Sequence, residues 1–135
     1  MMRVELKQNP MQKATLGDLT VSYGTSFYAD VYASNNTGSA VTKDVFVAYG
    51  IYNPDTNEFT MYWGYLGLNV SIPVGENQLI VTMDCVAEQV GTWDVIAAIG
   101  TYNESTGEFV IEDAIVKEDE LTVTGVMVTD VVLHT

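Results

Sequence analysis

The chain has few of the residues on which catalysis and metal binding usually depend. Its 135 residues contain one cysteine, Cys85, and one histidine, His134. A single cysteine excludes an internal disulfide framework and a cysteine-based structural zinc site. A single imidazole, close to the end of the chain, leaves little scope for histidine-dependent catalysis. We therefore predict no catalytic residues, no enzyme activity and no cofactor.

Positive charge and long apolar runs are also scarce. Five Lys and Arg side chains stand against 18 Asp and Glu, which gives a net charge of −13. Five cations cannot neutralise many phosphates, so nucleic acid is not an expected partner. No run of 18 apolar residues occurs, so no membrane-spanning segment is expected and a membrane is not an expected partner either.

The charge is unevenly distributed along what we expect to be a single domain. Hydrophobic residues make up 47% of the chain, which is enough for one core. Residues 1–17 are predicted to be an N-terminal arm or first strand, and they hold Arg3, Lys7 and Lys13 against Glu5, a net charge of +2. Residues 18–135 are predicted to form the folded body, which is acidic. The arm either docks on the body of a neighbouring copy or folds back on its own body.

Apolar residues recur with a period near two, which is typical of β-strands with one buried face. Residues 27–33 and 93–99 show this alternation, and residues 45–49 are apolar on both faces, as in a central strand. The predicted strands cover residues 3–7, 18–23, 26–34, 43–52, 58–68, 77–84, 92–102, 108–116 and 120–133. Turn residues separate them, so we predict an all-β, immunoglobulin-like antiparallel β-sandwich of seven to nine strands. An extended N-terminal arm and a C-terminal strand, with a bulge or a change of sheet near Gly125, complete the prediction.

Two segments that lie 50 residues apart are similar in sequence and form an internal repeat, called here the internal echo. Residues 47–62 read VAYGIYNPDTNEFTMY and residues 97–112 read AAIGTYNESTGEFVIE, with seven identical positions in sixteen. Each segment is predicted to be a β-hairpin with a Tyr-Asn turn. The likeness reflects either shared hairpin chemistry or two pseudo-equivalent hairpins within one sheet.

Short motifs along residues 18–102 resemble those of fibronectin-III-like and CARDB-like immunoglobulin domains. They are VSYGTSF at 21–27, NNTGS at 35–39, IPVGE at 72–76 and VGTWDV at 90–95. The resemblance implies the same β-sandwich and a role without chemistry, as a spacer, adhesion unit or decoration on bacterial surface proteins and phage virions. The fold does not choose among these roles.

Two acidic segments and the cysteine are the remaining candidates for chemistry. Residues 55–58 and 118–120 offer oxygen ligands for Ca²⁺, or serve simply as turns, and the spacing of an EF-hand is absent. Cys85 follows a predicted strand and is interpreted as a small buried hydrophobic residue.

An aromatic stretch, residues 59–68, supplies the main candidate contact surface. We expect Phe59, Met61, Trp63 and Tyr65 on one face of this strand and Tyr62, Leu66 and Leu68 on the other. A strand that is apolar on both faces at a sheet edge needs a cover, which a partner subunit or the chain's own C-terminal segment would provide. Trp63 and Tyr65 offer a carbohydrate platform as an alternative. The candidate interface residues are Arg3, Val4, Leu6, Lys7, Met11, Tyr62, Trp63, Tyr65, Leu66, Val126, Val128 and Val132.

These observations predict a structural protein that works through protein–protein contacts. No secretion signal is recognised at the start of the chain, because a charge at Arg3 precedes any apolar core. We therefore expect a virion component, a capsid decoration or tail protein assembled in the host cytoplasm, whose partner is itself or a larger array. The alternative is an extracellular adhesion or carbohydrate-binding module of a larger surface protein.

Overall fold

A computed structural model gives the architecture of the chain. It describes residues 19–135 in full and residues 2–8 and 12–13 by their backbone alone. These residues form β1 (Met2–Gln8), β2 (Gln12–Lys13), β3 (Leu19–Ser22), β4 (Ser26–Asn35), β5 (Val41–Asn53), β6 (Glu58–Ile72), β7 (Gly75–Val86), β8 (Gly91–Asn103) and β9 (Glu108–Thr124). Within these ranges there is no helix with the length and apolar character needed to cross a membrane.

The strands form two sheets that pack face to face. The four-stranded sheet has the order β2-β1-β4-β7, and the five-stranded sheet has the order β3-β9-β8-β5-β6. All pairs are antiparallel except β3 with β9, which run parallel. The chain changes sheet between β2 and β3, between β3 and β4, between β4 and β5, between β6 and β7 and between β7 and β8. These crossings are the Greek-key connections of an immunoglobulin-like sandwich, so the predicted fold class is confirmed.

The core lies between the two sheets and follows the predicted alternation. On β4, Phe27, Ala29 and Val31 are fully buried. On β8, Val95 and Ala97 face them from the opposite sheet. Strand β5 lies between β8 and β6, which confirms the central position predicted for residues 45–49. Period-two patterning thus located the buried face correctly on these strands.

The C-terminal strand ends earlier than the sequence pattern predicts. Residues 108–116 and 120–133 were expected to form two strands, but β9 runs without a break from Glu108 to Thr124, and residues 125–135 form no strand. The predicted end at residue 133 is therefore wrong. The parallel ladder with β3 stops at the pair Ser22–Thr124. Beyond it the valine-rich pattern continues, but no described strand offers that segment a partner.

The two hairpins of the internal echo lie side by side in the five-stranded sheet. Pairing of β5 with β6 and of β8 with β9 follows the same register over nine positions, with an offset of 50 residues. Both registers skip one residue at the same place, Tyr62 in the first hairpin and Glu112 in the second. The central strands β5 and β8 pair around Val47 and Ala97, which are themselves equivalent positions. The hairpins are therefore pseudo-equivalent, related by an approximate two-fold axis through the sheet.

Candidate interaction surface

Strand β6 is an edge strand that carries almost no charge. It pairs with β5, and none of the described residues forms a strand on its other side. Residues 59–74 contain no Asp, Glu, Lys, Arg or His, in a chain whose net charge is −13. Five large apolar side chains of β6 are between 41% and 51% exposed: Met61, Tyr62, Trp63, Leu66 and Leu68. Natural edge strands are usually protected by charges or proline, and this one is not.

A β-bulge at Tyr62 changes which side chains share a face. Trp63 pairs with Tyr49 and Met61 pairs with Gly50, so Tyr62 is an extra residue between them. Trp63 and Tyr65 therefore lie on the side of the sheet that faces the core, whereas Met61 and Leu66 lie on the outer side. The expectation that Met61, Trp63 and Tyr65 share one face is wrong, because a bulge breaks the period of two. The Tyr62 ring instead packs against Trp93, with 4.8 Å between ring centroids.

Two tyrosine hydroxyls on the inner side tie β5 and β6 to the end of β7. The Tyr65 hydroxyl accepts from Val86 N at 2.8 Å, and the Tyr49 hydroxyl accepts from Glu88 N at 2.9 Å. Each hydroxyl also lies 3.2 Å from the Val86 carbonyl oxygen, to which it can donate. Burial raises the pKa of both side chains above the usual value, since it disfavours the phenolate. Tyr65 is thus half-buried and bonded, which leaves Trp63 as the more exposed aromatic ring of the predicted pair.

We expect the substitution Tyr65→Phe to lower the free energy of unfolding by about 1–2 kcal/mol, because Val86 N loses its acceptor. A raised pKa in the folded state means that this stabilisation is complete below pH 10 and declines as the pH rises above it. Urea unfolding at neutral pH and again above pH 10 measures both effects. The stability of Tyr65→Phe should fall less steeply above pH 10 than that of the unaltered chain, and an equal fall would contradict the assignment.

A groove of about 330 Å³ runs beside β6 on the outer side of the five-stranded sheet. It is lined by side chains of β6 and β5 and by the turn region of the second hairpin. Its lining includes Phe46, Met61, Gly64, Leu66 and Phe109. The rings of Phe46 and Phe109 pack together with 5.7 Å between centroids. Gly64 keeps the groove open, since a Cβ there would meet Met61 Sδ at 2.5 Å and Phe46 Cε2 at 3.0 Å.

Two aspartates hold the hairpin ends in place over this outer side. Asp94 Oδ2 accepts from Tyr52 N at 2.7 Å, and Asp44 Oδ2 accepts from Tyr102 N at 2.7 Å. Each hairpin thus donates a backbone hydrogen bond to an aspartate of the other hairpin. Asp44 also accepts from Asn69 N, and these two backbone bonds lower the pKa of its carboxyl group. The bond to Tyr102 positions the hairpin end that carries Phe109, which closes one side of the groove.

The C-terminal segment, residues 125–135, leaves the sandwich at Gly125. A Cβ at that position would meet Val90 Cγ2 at 2.7 Å, so glycine lets the chain pass close to Val90. Beyond it six apolar side chains are between 56% and 98% exposed: Val126, Met127, Val128, Val131, Val132 and Leu133. The segment therefore leaves these apolar side chains largely exposed.

For most of the predicted N-terminal contact residues, the structure describes the backbone only. The backbone of Arg3, Val4, Leu6 and Lys7 lies in β1, which pairs with β4 in the four-stranded sheet. Their side chains, and all of Met11, lie outside the described residues. Their role in an interface stays a prediction.

The reactive residues of the sequence are not assembled into a reactive site. Cys85 is 1% exposed, and burial raises the pKa of its thiol to about 12, with a smaller contribution from Asp84. His134 lies in the exposed C-terminal segment. Across the part of the chain that the structure describes, no group of three or more His, Cys, Asp and Glu side chains is placed to hold a metal ion. In the two segments proposed for Ca²⁺, Asn57 Oδ1 accepts from the Tyr52 hydroxyl at 2.7 Å, and the backbone N of Asp119 donates to Asp94 Oδ1 at 2.9 Å.

The sequence did not predict the groove or the two aspartates, Asp44 and Asp94, that hold the hairpin ends beside it. Phe46 and Gly64 come together through the pairing of β5 with β6, and Phe109 of the second hairpin packs against Phe46. Asp44 and Asp94 are 50 residues apart, just before the matched segments begin. Extending the internal alignment by three residues would have found them.

The strand order defines the class of fold as an immunoglobulin-like β-sandwich. The chain is similar to a crystal structure of the CARDB domain of the PF1109 protein from Pyrococcus furiosus, in complex with di-metal ions. The identity is 17%, the coverage is 90% of this chain and 88% of that chain, and the TM-score is 0.48.

A solution NMR structure of the same CARDB domain is also similar. There the identity is 16%, the coverage is 90% of this chain and 94% of that chain, and the TM-score is 0.42. No protein-family model matches the chain, and no curated protein matches it.

Proposed function

We propose that this protein is a structural, non-enzymatic component that acts through contacts with copies of itself in a larger array, such as a virion shell or tail. The observation that carries the proposal is the exposed, charge-free β6 edge. An acidic chain repels its own copies wherever their charges face each other, so association is favoured where neither surface is charged. The acidic remainder of the surface keeps unassembled copies soluble.

The association should appear as a mass in solution that rises with protein concentration. Sedimentation velocity on the full chain measures it. Replacing Leu66 and Leu68 by lysine places charge on β6, and we expect this double substitution to weaken association by at least about tenfold. Replacing Val110, an exposed residue of the second hairpin, by lysine is the control and should leave association unchanged. A protein that stays monomeric at every concentration would contradict the proposal.

The alternative role, an extracellular adhesion or carbohydrate-binding module, has one supporting observation. Trp63 is half-exposed on β6 and offers part of an aromatic ring to a sugar. Tyr65 gives it little support, because its hydroxyl is bonded to the backbone of Val86. Binding to oligosaccharides that is lost in Trp63→Ala would favour this role over assembly.

A further inference from the structure

We infer that the C-terminal segment of one copy adds as a β-strand to the β6 edge of a neighbouring copy, with an apolar side chain in the groove beside β6. The inference rests on the proposed function and names the two surfaces that meet. It is carried by a comparison within the chain, by the groove and by the exposed C-terminal segment.

The second hairpin serves as an internal reference for the first. Its outer strand β9 is equivalent to β6, and over residues 108–117 the described residues pair it with β8 alone. Four positions of β9 are charged where those of β6 are not: Glu112, Asp113, Lys117 and Glu118 stand at the places of Tyr62, Trp63, Gly67 and Leu68. Charges on an edge discourage the addition of another strand. One edge of the pseudo-symmetric pair is thus protected, and the other is left open.

The groove shows the same asymmetry. Gly64 lies at its base, and the equivalent residue of the second hairpin is Ala114. A bound strand on β6 would place alternate side chains over the outer side of the sheet, where Met61 and Leu66 border the groove. Recognition of this kind uses backbone hydrogen bonds for affinity and a pocket for specificity.

The C-terminal segment fits this edge in length, charge and composition. Residues 126–133 would span about 26 Å as a strand, which is shorter than the uncharged part of β6. One face of that strand would hold Met127, Thr129, Val131 and Leu133, which are all uncharged. We assign this face to the groove. Asp130 falls on the opposite face.

A second copy is the occupant that the charges favour. Every other copy of the chain is strongly acidic, and its C-terminal segment is among its few stretches with little charge. The segment and the edge are different parts of the chain, so one copy can donate its segment while it receives another. Contacts of this head-to-tail kind build rings or open chains.

Two full-length variants test the inference by complementation. The first, Gly64→Leu, fills the groove and leaves the segment intact. The second, Val131→Asp with Leu133→Asp, charges the segment and leaves the edge intact. We expect each variant alone to associate at least about tenfold more weakly than the unaltered chain in sedimentation velocity. Mixed together, they should form a one-to-one complex, because one supplies the edge and the other supplies the segment.

The control is Ala114→Leu, which makes a similar change at the equivalent position of the second hairpin and should leave association unchanged. Circular dichroism and urea unfolding establish that each variant is folded. If the segment variant still associates as the unaltered chain does, β6 pairs with another surface, so this inference fails while the proposed function stands. A different result would be an unaltered chain that is monomeric and a segment variant that associates. The C-terminal segment would then cover β6 of its own copy, and both this inference and the proposed function would be overturned.

Discussion

Replacing Gly100 with alanine is expected to destabilise the domain by at least about 3 kcal/mol, because the new methyl group has no space. A Cβ at position 100 would overlap the carbonyl oxygen of Val110 on the neighbouring strand. The obstacle is backbone, which cannot move aside as a flexible side chain would. Gly100 pairs with Ile111, next to the bulge at Glu112. Urea unfolding followed by tryptophan fluorescence measures the loss.

The equivalent glycine provides a second test of the same geometry. A Cβ at Gly50 would overlap the carbonyl oxygen of Thr60, so Gly50→Ala should cost a similar amount. Gly107→Ala is the control, since a Cβ there has no atom within 4 Å but the φ of +74° disfavours alanine. That control should cost about 1 kcal/mol. If Gly100→Ala costs no more than the control, the close approach at the bulge is wrong.

Removing the carboxylate of Asp94 is expected to cost about 2–4 kcal/mol, because two backbone N–H groups lose their acceptor together. Asp94 is 8% exposed, and it accepts from Tyr52 N at 2.7 Å and from Asp119 N at 2.9 Å. Water has little access to replace those bonds in Asp94→Ala. Urea unfolding gives the free energy, and hydrogen exchange at Tyr52 N reports the local opening of the hairpin.

Asp44→Ala is the matched comparison, since Asp44 makes the equivalent bonds from a more accessible position. We expect the smaller loss there, because water can satisfy the N–H groups of Tyr102 and Asn69. The lowered pKa of Asp44 means that its contribution is complete above its usual pKa of 3.8 and is lost as the pH falls through the lower value. A larger loss for Asp44→Ala than for Asp94→Ala would contradict the burial argument.

These two pairs of residues show how the repeated hairpins act on one another. Gly50 and Gly100 permit the bulges that turn each hairpin, and Asp44 and Asp94 hold each turned end against the opposite hairpin. The resulting frame is nearly symmetric. The features assigned to assembly lie where that symmetry breaks, at the uncharged β6 edge and at Gly64.

The sequence by itself determined the class of fold and the position of the hairpins. Alternation of apolar residues along β4 and β8, and the continuous apolar run of β5, are local properties of the chain, so they survive into the structure wherever the strands are regular. The Tyr-Asn turns are local as well, and both hairpins form where they were expected. The acidic composition and the uncharged stretch that forms β6 are likewise visible in the sequence.

Only the tertiary structure decided which faces the side chains take and which residues meet. A bulge at Tyr62 reverses the face of Trp63 and Tyr65, and whether a bulge forms depends on the close approach of another strand at Gly50. The last strand stops at Thr124 because β3, its partner, stops there, although the valine pattern continues. The crossed aspartate bonds join residues 42 and 58 positions apart, and the groove joins Phe46 to Phe109. That proximity follows from the pairing of β5 with β8, which local patterning cannot specify.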